Sequence, residues 1–302
     1  MKWPQRTRVV EVGPRDGLQN EKSFVPTEGK IALVRALAGA GLRWIQATSF
    51  VHPKWVPQLA DAEAVLAALL PERAAAYSAL VPNRRGYERA LAAGVPEVEV
   101  VVGVSDTFSR HNVNMGTEES FAQAEAVLAR AKHDGVRVRV ALATAFGCPY
   151  EGEVPPARVV RLARRAGELG ADELSICDTN GVANPRQVYD LFAALGAAVP
   201  PSLLVAHFHD THGRGLANVV AALAAGVEAF DASIGGLGGC PYCPGAAGNI
   251  ATEDLVAMLH AMGIETGVDF PALLEAARLA ERLVGRPLLS HALVAGRGRC
   301  AE

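Results

Sequence analysis

Short runs of β-branched and other apolar residues alternate along the chain with longer stretches rich in Ala, Leu and Arg. The runs at 9–12, 44–50, 76–81, 97–104, 137–145, 173–178, 203–209 and 229–234 read as eight strands. Between them apolar residues recur at helical spacing, as in Lys30-Ile31-Ala32-Leu33-Val34-Arg35-Ala36-Leu37. Gly41, Gly94, Gly135, Gly170 and Gly226 each stand just ahead of a strand. A helix that ends in a short turn needs a residue there that accepts the left-handed conformation. From 270 to 284 the pattern is helical again, and a polar tail begins at Gly296.

Strands that alternate with helices predict a parallel sheet built of βα units. Eight such units in about 250 residues predict an α/β chain folded as a single-domain (β/α)8 TIM barrel with extra C-terminal helices. Residues 1–268 form the catalytic barrel on this reading, and 269–302 a helical extension packed on it within the same domain. The alternative is an open doubly wound sheet. Its Gly-rich dinucleotide turn is missing after the first strand, which continues Val12-Gly13-Pro14-Arg15-Asp16-Gly17.

Composition removes several classes. Hydrophobic residues are 50% of the chain and charged residues 20%, too apolar for a disordered protein. No uninterrupted apolar run of about 18 residues marks a membrane span. A net charge of −3 supplies no basic field to recruit nucleic acid. The cysteines, Cys148, Cys177, Cys240, Cys243 and Cys300, are odd in number and scattered, which is no disulfide framework. The N-terminus has no apolar segment of a signal peptide. These features together predict a soluble, reduced, cytoplasmic protein.

In such a barrel, chemistry belongs at the C-terminal ends of the strands. Arg15 and Asp16 end the first strand, Gln46, Thr48 and Ser49 the second, and Ser175 and Asp178 the sixth. Arg139 lies on the fifth, His207 and His209 on the seventh, and Cys240 and Asn249 follow the eighth. Residues i and i+2 of a strand share a face, so His207 and His209 can aim two imidazoles into one mouth. With Asp16 and the amide oxygen of Asn249 they form a mixed O/N set suited to Mg2+ or Mn2+. The competing reading is one inward histidine and one satisfied in a packed core. Arg15 is either a structural partner of Asp16 or a clamp for a carboxylate or enolate oxygen. Gly235-Gly236-Leu237-Gly238-Gly239 is either a phosphate cradle or a hinge. Candidate substrate contacts are Arg15, Ser49, Arg139, Ser175, Gly238 and Gly239. Cys240-Pro241-Tyr242-Cys243 has the spacing of a dithiol motif, but it lies in a late glycine-rich loop rather than at a helix start. It reads better as a loop carrying one reactive thiol, Cys240.

Five segments carry a resemblance to the 3-hydroxy-3-methylglutaryl-CoA lyases, metal-dependent enzymes built on a TIM barrel. They are 11–21 (EVGPRDGLQNE), 48–57 (TSFVHPKWVP), 147–152 (GCPYEG), 207–211 (HFHDT) and 236–242 (GLGGCPY). Gly248-Asn249 and Ala251-Thr252-Glu253-Asp254 complete the set. The resemblance runs from Val10 to about Leu289. It implies cleavage of 3-hydroxy-3-methylglutaryl-CoA to acetyl-CoA and acetoacetate, as in leucine degradation. It implies Asp16, His207, His209 and Asn249 as metal ligands and Arg15 as the group facing the enolate oxygen. It implies Cys240 as the proton donor, with Asp178 and Glu253 at or near the site. Either Asp16 or His207 is the base. It also implies an acyl-CoA substrate and a homo-oligomer, dimer or larger.

Two positions depart from the resemblance. Gln46 stands where these lyases have a glutamate counted as catalytic; it keeps the size and one acceptor but not the charge. The expectation is weaker support for Arg15, and an activity that is slowed or shifted to another 3-hydroxy acyl-CoA. Cys243 replaces a small residue and puts a second thiol near Cys240. Cys300 sits in the tail, where some relatives carry a cross-linking thiol; a tail without a role is the simpler reading. The competing functions are a related acyl-CoA condensing synthase, a metal hydrolase and a non-catalytic metal- or acyl-CoA-binding protein. The 236–242 loop argues against the synthase. Hydrolases of this barrel usually place HxH on the first strand, whereas here it is on the seventh.

Overall fold

The computed structural model describes residues 3–239 and 247–297. Eight parallel strands close a barrel in chain order. They are β1 (Arg8–Glu11), β2 (Trp44–Ser49), β3 (Ala76–Leu80), β4 (Glu97–Gly103), β5 (Arg137–Ala143), β6 (Glu173–Asp178), β7 (Leu204–Phe208) and β8 (Ala229–Ala232). β1 pairs with both β2 and β8, so no edge remains, and the open-sheet alternative is excluded. The helices form the outer layer. In Thr117–Asp134 the buried face includes Phe121, Ala124, Leu128 and Ala131, the 3-4-3 spacing of one helical stripe. The five glycines read as helix stops all take positive φ, between 72° and 96°. Helix Pro185–Gly196 starts with a capping box in which Asn184 and Gln187 each satisfy the other's backbone N–H. Helix Phe270–Val284 occupies the range its sequence pattern predicts and packs against Thr27–Gly39 beside the barrel. Among the described residues no helix is long and apolar enough to cross a membrane.

Two strand ends differ from the sequence reading, and both differences matter for the site. β1 stops at Glu11, and Arg15 and Asp16 stand on a π-helical turn, Gly13–Gly17. Wide turns of this kind are frequent at functional sites. β7 stops at Phe208, so His209 lies one residue past the strand. There its backbone bridges to Asn249 in antiparallel fashion, while Asp210 N–H donates to the Gly248 carbonyl at 2.8 Å. The chain after β8 is thereby folded back along the end of β7.

The interior of such a barrel is usually filled by branched apolar side chains. Here part of it is charged. Arg139 on β5 donates to Asp231 on β8, three strands away, so the bond crosses the lumen. Glu99 on β4 ion-pairs with Arg139 at 3.1 Å, and Ser175 on β6 donates to Asp231 at 3.1 Å. A buried charge needs a partner and hydrogen bonds, and this row provides both directly beneath the mouth.

Candidate active site

Asp16, His207 and His209 converge at the C-terminal mouth. Each offers a ligand atom, and these atoms lie within 4.8 Å of one another. Their protonation suits a cation. Burial alone raises the Asp16 carboxyl, but Arg15 and the two histidines outweigh it and bring the pKa down to about 2. Burial, reinforced by the charge of His207, pushes His209 down to about 4, which leaves a neutral imidazole. His209 Nδ1 is buried and has no hydrogen-bond partner among the described residues.

His207 is oriented from behind. Its Nδ1 lies 3.1 Å from Asp231 Oδ2. Burial opposes ionisation of Asp231, but Arg139 and His207 hold it well below the usual carboxylate range. An ionised carboxylate only accepts, so Nδ1 carries a proton, and Nε2 is the nitrogen available to a ligand. Burial works against the charged imidazole, yet Asp231 raises the His207 pKa. A carboxylate behind a histidine is the usual support of a metal-ligating imidazole.

Asn249 enters from the folded-back segment. Its Nδ2 donates to Asp16 Oδ2 at 2.7 Å and to the Leu237 carbonyl at 3.2 Å. Both amide hydrogens are used, so the oxygen is the atom left for a ligand. A Cβ on Gly238, whose φ is 126°, would come within 2.8 Å of that Nδ2, so only glycine fits there. Gly239 follows it on the same stretch. Cys240, Cys243 and Cys300 lie outside the described residues.

Arg15 is 7% exposed and is held at three points. Its Nε donates to Gln46 Oε1, its Nη1 donates to Asp16 at 2.6 Å, and its Nη2 lies 3.3 Å from Glu99. Gln46 is fully buried, and its Nε2 has no partner among the described residues.

The other expected residues divide by position. Arg139 and Ser175 lie in the charged row below the mouth, bound to Asp231. Ser49 accepts from Val51 N–H at 3.2 Å. Asp178 accepts from the N–H groups of Val182 and Ala183 and so holds the turn after β6; burial pushes its pKa up to about 6. Glu253 accepts from Gly235 N–H through both oxygens, at 3.0 and 3.1 Å, and burial pushes it up to about 7.

Three acidic residues that organise the site escaped the sequence reading: Glu11, Glu99 and Asp231. Glu11 accepts from Gly13 N–H at 2.7 Å, Ile234 N–H at 2.9 Å and Thr252 Oγ1 at 2.7 Å. It ties the Arg15–Asp16 turn to the segment after β8. The available signal was an acidic residue inside an otherwise apolar strand, in Val9-Val10-Glu11, Val98-Glu99-Val100 and Phe230-Asp231-Ala232.

The sequence profile of the HMGL-like family matches residues 6–280. The chain belongs to the HMGL-like family. It is 47% identical over 293 residues to the hydroxymethylglutaryl-CoA lyase YngG of Bacillus subtilis, covering 97% of this chain and 98% of that one. A crystal structure of the HMG-CoA lyase of Bacillus subtilis superposes with a TM-score of 0.96 at 47% identity, over 99% of this chain and all of the other. An HMG-CoA lyase of Acinetobacter baumannii, in complex with coenzyme A and 3-methylmalate, superposes with a TM-score of 0.94 at 38% identity, over 100% of this chain and 99% of that one. This HMGL-like chain is therefore a carbon-carbon lyase by family, with the Asp16, His207 and His209 cluster at the mouth of its barrel.

Proposed function

We propose that the chain cleaves 3-hydroxy-3-methylglutaryl-CoA to acetyl-CoA and acetoacetate, using Mg2+ or Mn2+ held by Asp16, His207, His209 and Asn249. The observation that carries this reading is the convergence of Asp16, His207 and His209 beside the buried guanidinium of Arg15. The donors fit a hard cation that retains open positions: one ionised carboxylate, two imidazoles and an amide oxygen. When bound, the ion supplies Lewis acidity toward the substrate hydroxyl and carboxylate oxygens. The neighbour with coenzyme A and 3-methylmalate, itself a hydroxy acid, supports an acyl-CoA substrate.

The residues divide the reaction as follows. The tertiary hydroxyl loses its proton to a base at the mouth; His207, whose Nδ1 donates to Asp231 and whose Nε2 would be given to the ion, has no lone pair left for it, which leaves the Asp16 carboxylate. The bond between C2 and C3 breaks, the hydroxyl carbon becomes the ketone of acetoacetate, and the electron pair moves to the thioester oxygen as an enolate. Arg15 faces that charge. One preorganised donor of this kind is worth about 2.7–4 kcal/mol of barrier, and Gln46, Asp16 and Glu99 fix its direction before substrate arrives. Cys240 returns a proton to the enolate carbon to give acetyl-CoA. Asp178, Glu11 and Glu253 hold the turns that carry these groups. We propose in addition a cytoplasmic setting and a homo-oligomeric assembly, dimer or larger.

Acetoacetate release from 3-hydroxy-3-methylglutaryl-CoA tests the proposal. The expected result is turnover with Mg2+ or Mn2+, abolished by a chelator and sharply reduced in Cys240→Ala. Folded, metal-loaded chain that releases no acetoacetate would overturn it.

A further inference from the structure

Glu99 is 3% exposed and lies between two buried guanidinium groups. Its Oε1 is 3.3 Å from Arg15 Nη2, and its Oε2 is 3.1 Å from Arg139 Nε. Arg139 continues to Asp231, and Asp231 to His207. Glu99 therefore joins the arginine at the mouth to the carboxylate that orients a histidine there.

The neighbour of Arg15 on the other side is neutral. Gln46 Oε1 accepts from Arg15 Nε, while Gln46 Nε2 stays buried without a partner among the described residues. A buried guanidinium needs counter-charge. Asp16 supplies one, but its carboxylate also belongs to the group that converges with His207 and His209, and it accepts from Asn249. A ligand at the mouth competes for Asp16. Glu99 is removed from that cluster, so the charge it gives Arg15 does not depend on what the mouth holds.

We propose that Glu99 is the positioning residue of Arg15 in this chain. It supplies from β4 the negative charge that Gln46 does not supply from β2, and it couples Arg15 to the row of Arg139, Asp231 and His207. Arg15 needs one such carboxylate beyond Asp16, from either strand. The inference deepens the lyase reading and rests on it for its kinetic test.

The test is a charge exchange between the two positions: Glu99→Gln, Gln46→Glu and the two combined, each assayed for acetoacetate release. Each variant is also crystallised to locate the Arg15 guanidinium. Glu99→Gln is expected to lower kcat by about 10- to 100-fold, less than the roughly 100- to 1,000-fold of losing such a donor outright, with KM little changed and Arg15 displaced from Gln46. Gln46→Glu in that background restores most of kcat and returns Arg15. In the otherwise native chain Gln46→Glu lowers kcat, because it crowds a further carboxylate beside Asp16 and Glu99. A merely structural Glu99 would lower the melting temperature alone, with kcat per folded chain unchanged and no rescue. That result, or an unmoved Arg15 in Glu99→Gln, overturns the inference. If Glu99→Gln does not fold, Glu99→Asp, which keeps the charge but withdraws it by one methylene, is expected to fold with lower kcat and a displaced Arg15. Unchanged kcat and position in that variant overturn the inference equally. A native chain without turnover refutes the lyase reading, and the Arg15 position in the crystals still decides the role of Glu99.

Discussion

At the N-terminal end of the barrel Arg8 on β1 meets Glu173 on β6 at 2.5 Å. Arg137 on β5 meets Glu97 on β4 at 3.0 Å and Glu173 at 3.5 Å. At the C-terminal end stand Arg15, Asp16 and the two histidines, with Glu99, Arg139 and Asp231 in the buried row beneath them. Charged residue types recur at both ends, in different states. The lower arginines keep a route to water: the Arg8 side chain is 22% exposed and that of Arg137 is 53% exposed. Their charges are spent on one another. The upper charges are almost fully buried, yet among the described residues His209 Nδ1 and Gln46 Nε2 have no partner. Burying polar atoms unpaired is costly. Paired charge with solvent access marks the supporting end, and buried charge around the converging Asp16, His207 and His209 marks the working end.

The largest effect is expected from emptying the working end. Asp16→Asn or His207→Ala should lower turnover by at least about a thousand-fold, beyond the loss of one stabilising donor, while the melting temperature changes little. Retention of more than a tenth of the native rate in either variant would break the contrast.

Asp231→Asn comes next. It leaves the ligand set intact but removes the charge behind His207 and turns one of the two acceptor oxygens into a donor, so the His207 tautomer is no longer fixed. Removing a partner behind a ligating histidine typically costs about 10- to 100-fold in metal affinity or activity. Mn2+ affinity measured by calorimetry checks this; native affinity in the variant would show that His207 needs no support.

The third expectation concerns pH and stability. Burial pushes Glu11 up to about 8 and Glu253 up to about 7, from an ordinary value of 4.5. The folded chain then binds more protons than the unfolded chain between about pH 4.5 and those values. Stability conferred in this way is fully present at low pH and is lost as pH rises through 7 and 8. The melting temperature should fall between pH 5 and pH 8, and Glu11→Gln should flatten that fall. Parallel curves for the two proteins would contradict the assignment to Glu11.

The smallest effect belongs to the supporting end. Arg137→Ala removes ion pairs in which the arginine is half exposed, worth about 0.2–1 kcal/mol together. Acetoacetate release should be unchanged. A large loss of rate would mean that the two ends are not separable.

How far the sequence shows this structure depends on distance along the chain. Strand positions were legible because parallel strands buried on both faces read as short continuous apolar runs, and the glycine stops because a left-handed residue is a local need. The His207-x-His209 pair was legible because two residues fix its geometry, although β7 ends between them and Asn249, folding back, holds the second. Glu11, Glu99 and Asp231 were not legible. An acidic residue in a strand reads equally well as an outward side chain. What turns these three inward are partners far along the chain: Thr252 lies 241 positions from Glu11, Arg15 lies 84 from Glu99, and Arg139 lies 92 from Asp231. Gln46 was visible as a departure, but its meaning depends on Glus that only barrel closure brings near, Glu99 above all.

The most direct test of the contrast between the two ends is a Mn2+ titration of the chelator-treated chain. The native chain and Arg137→Ala should each bind one ion per chain with the same affinity, and Asp16→Asn and His209→Ala should bind none in that range. Binding that survives both substitutions, or a native chain that takes up no ion, would contradict the account.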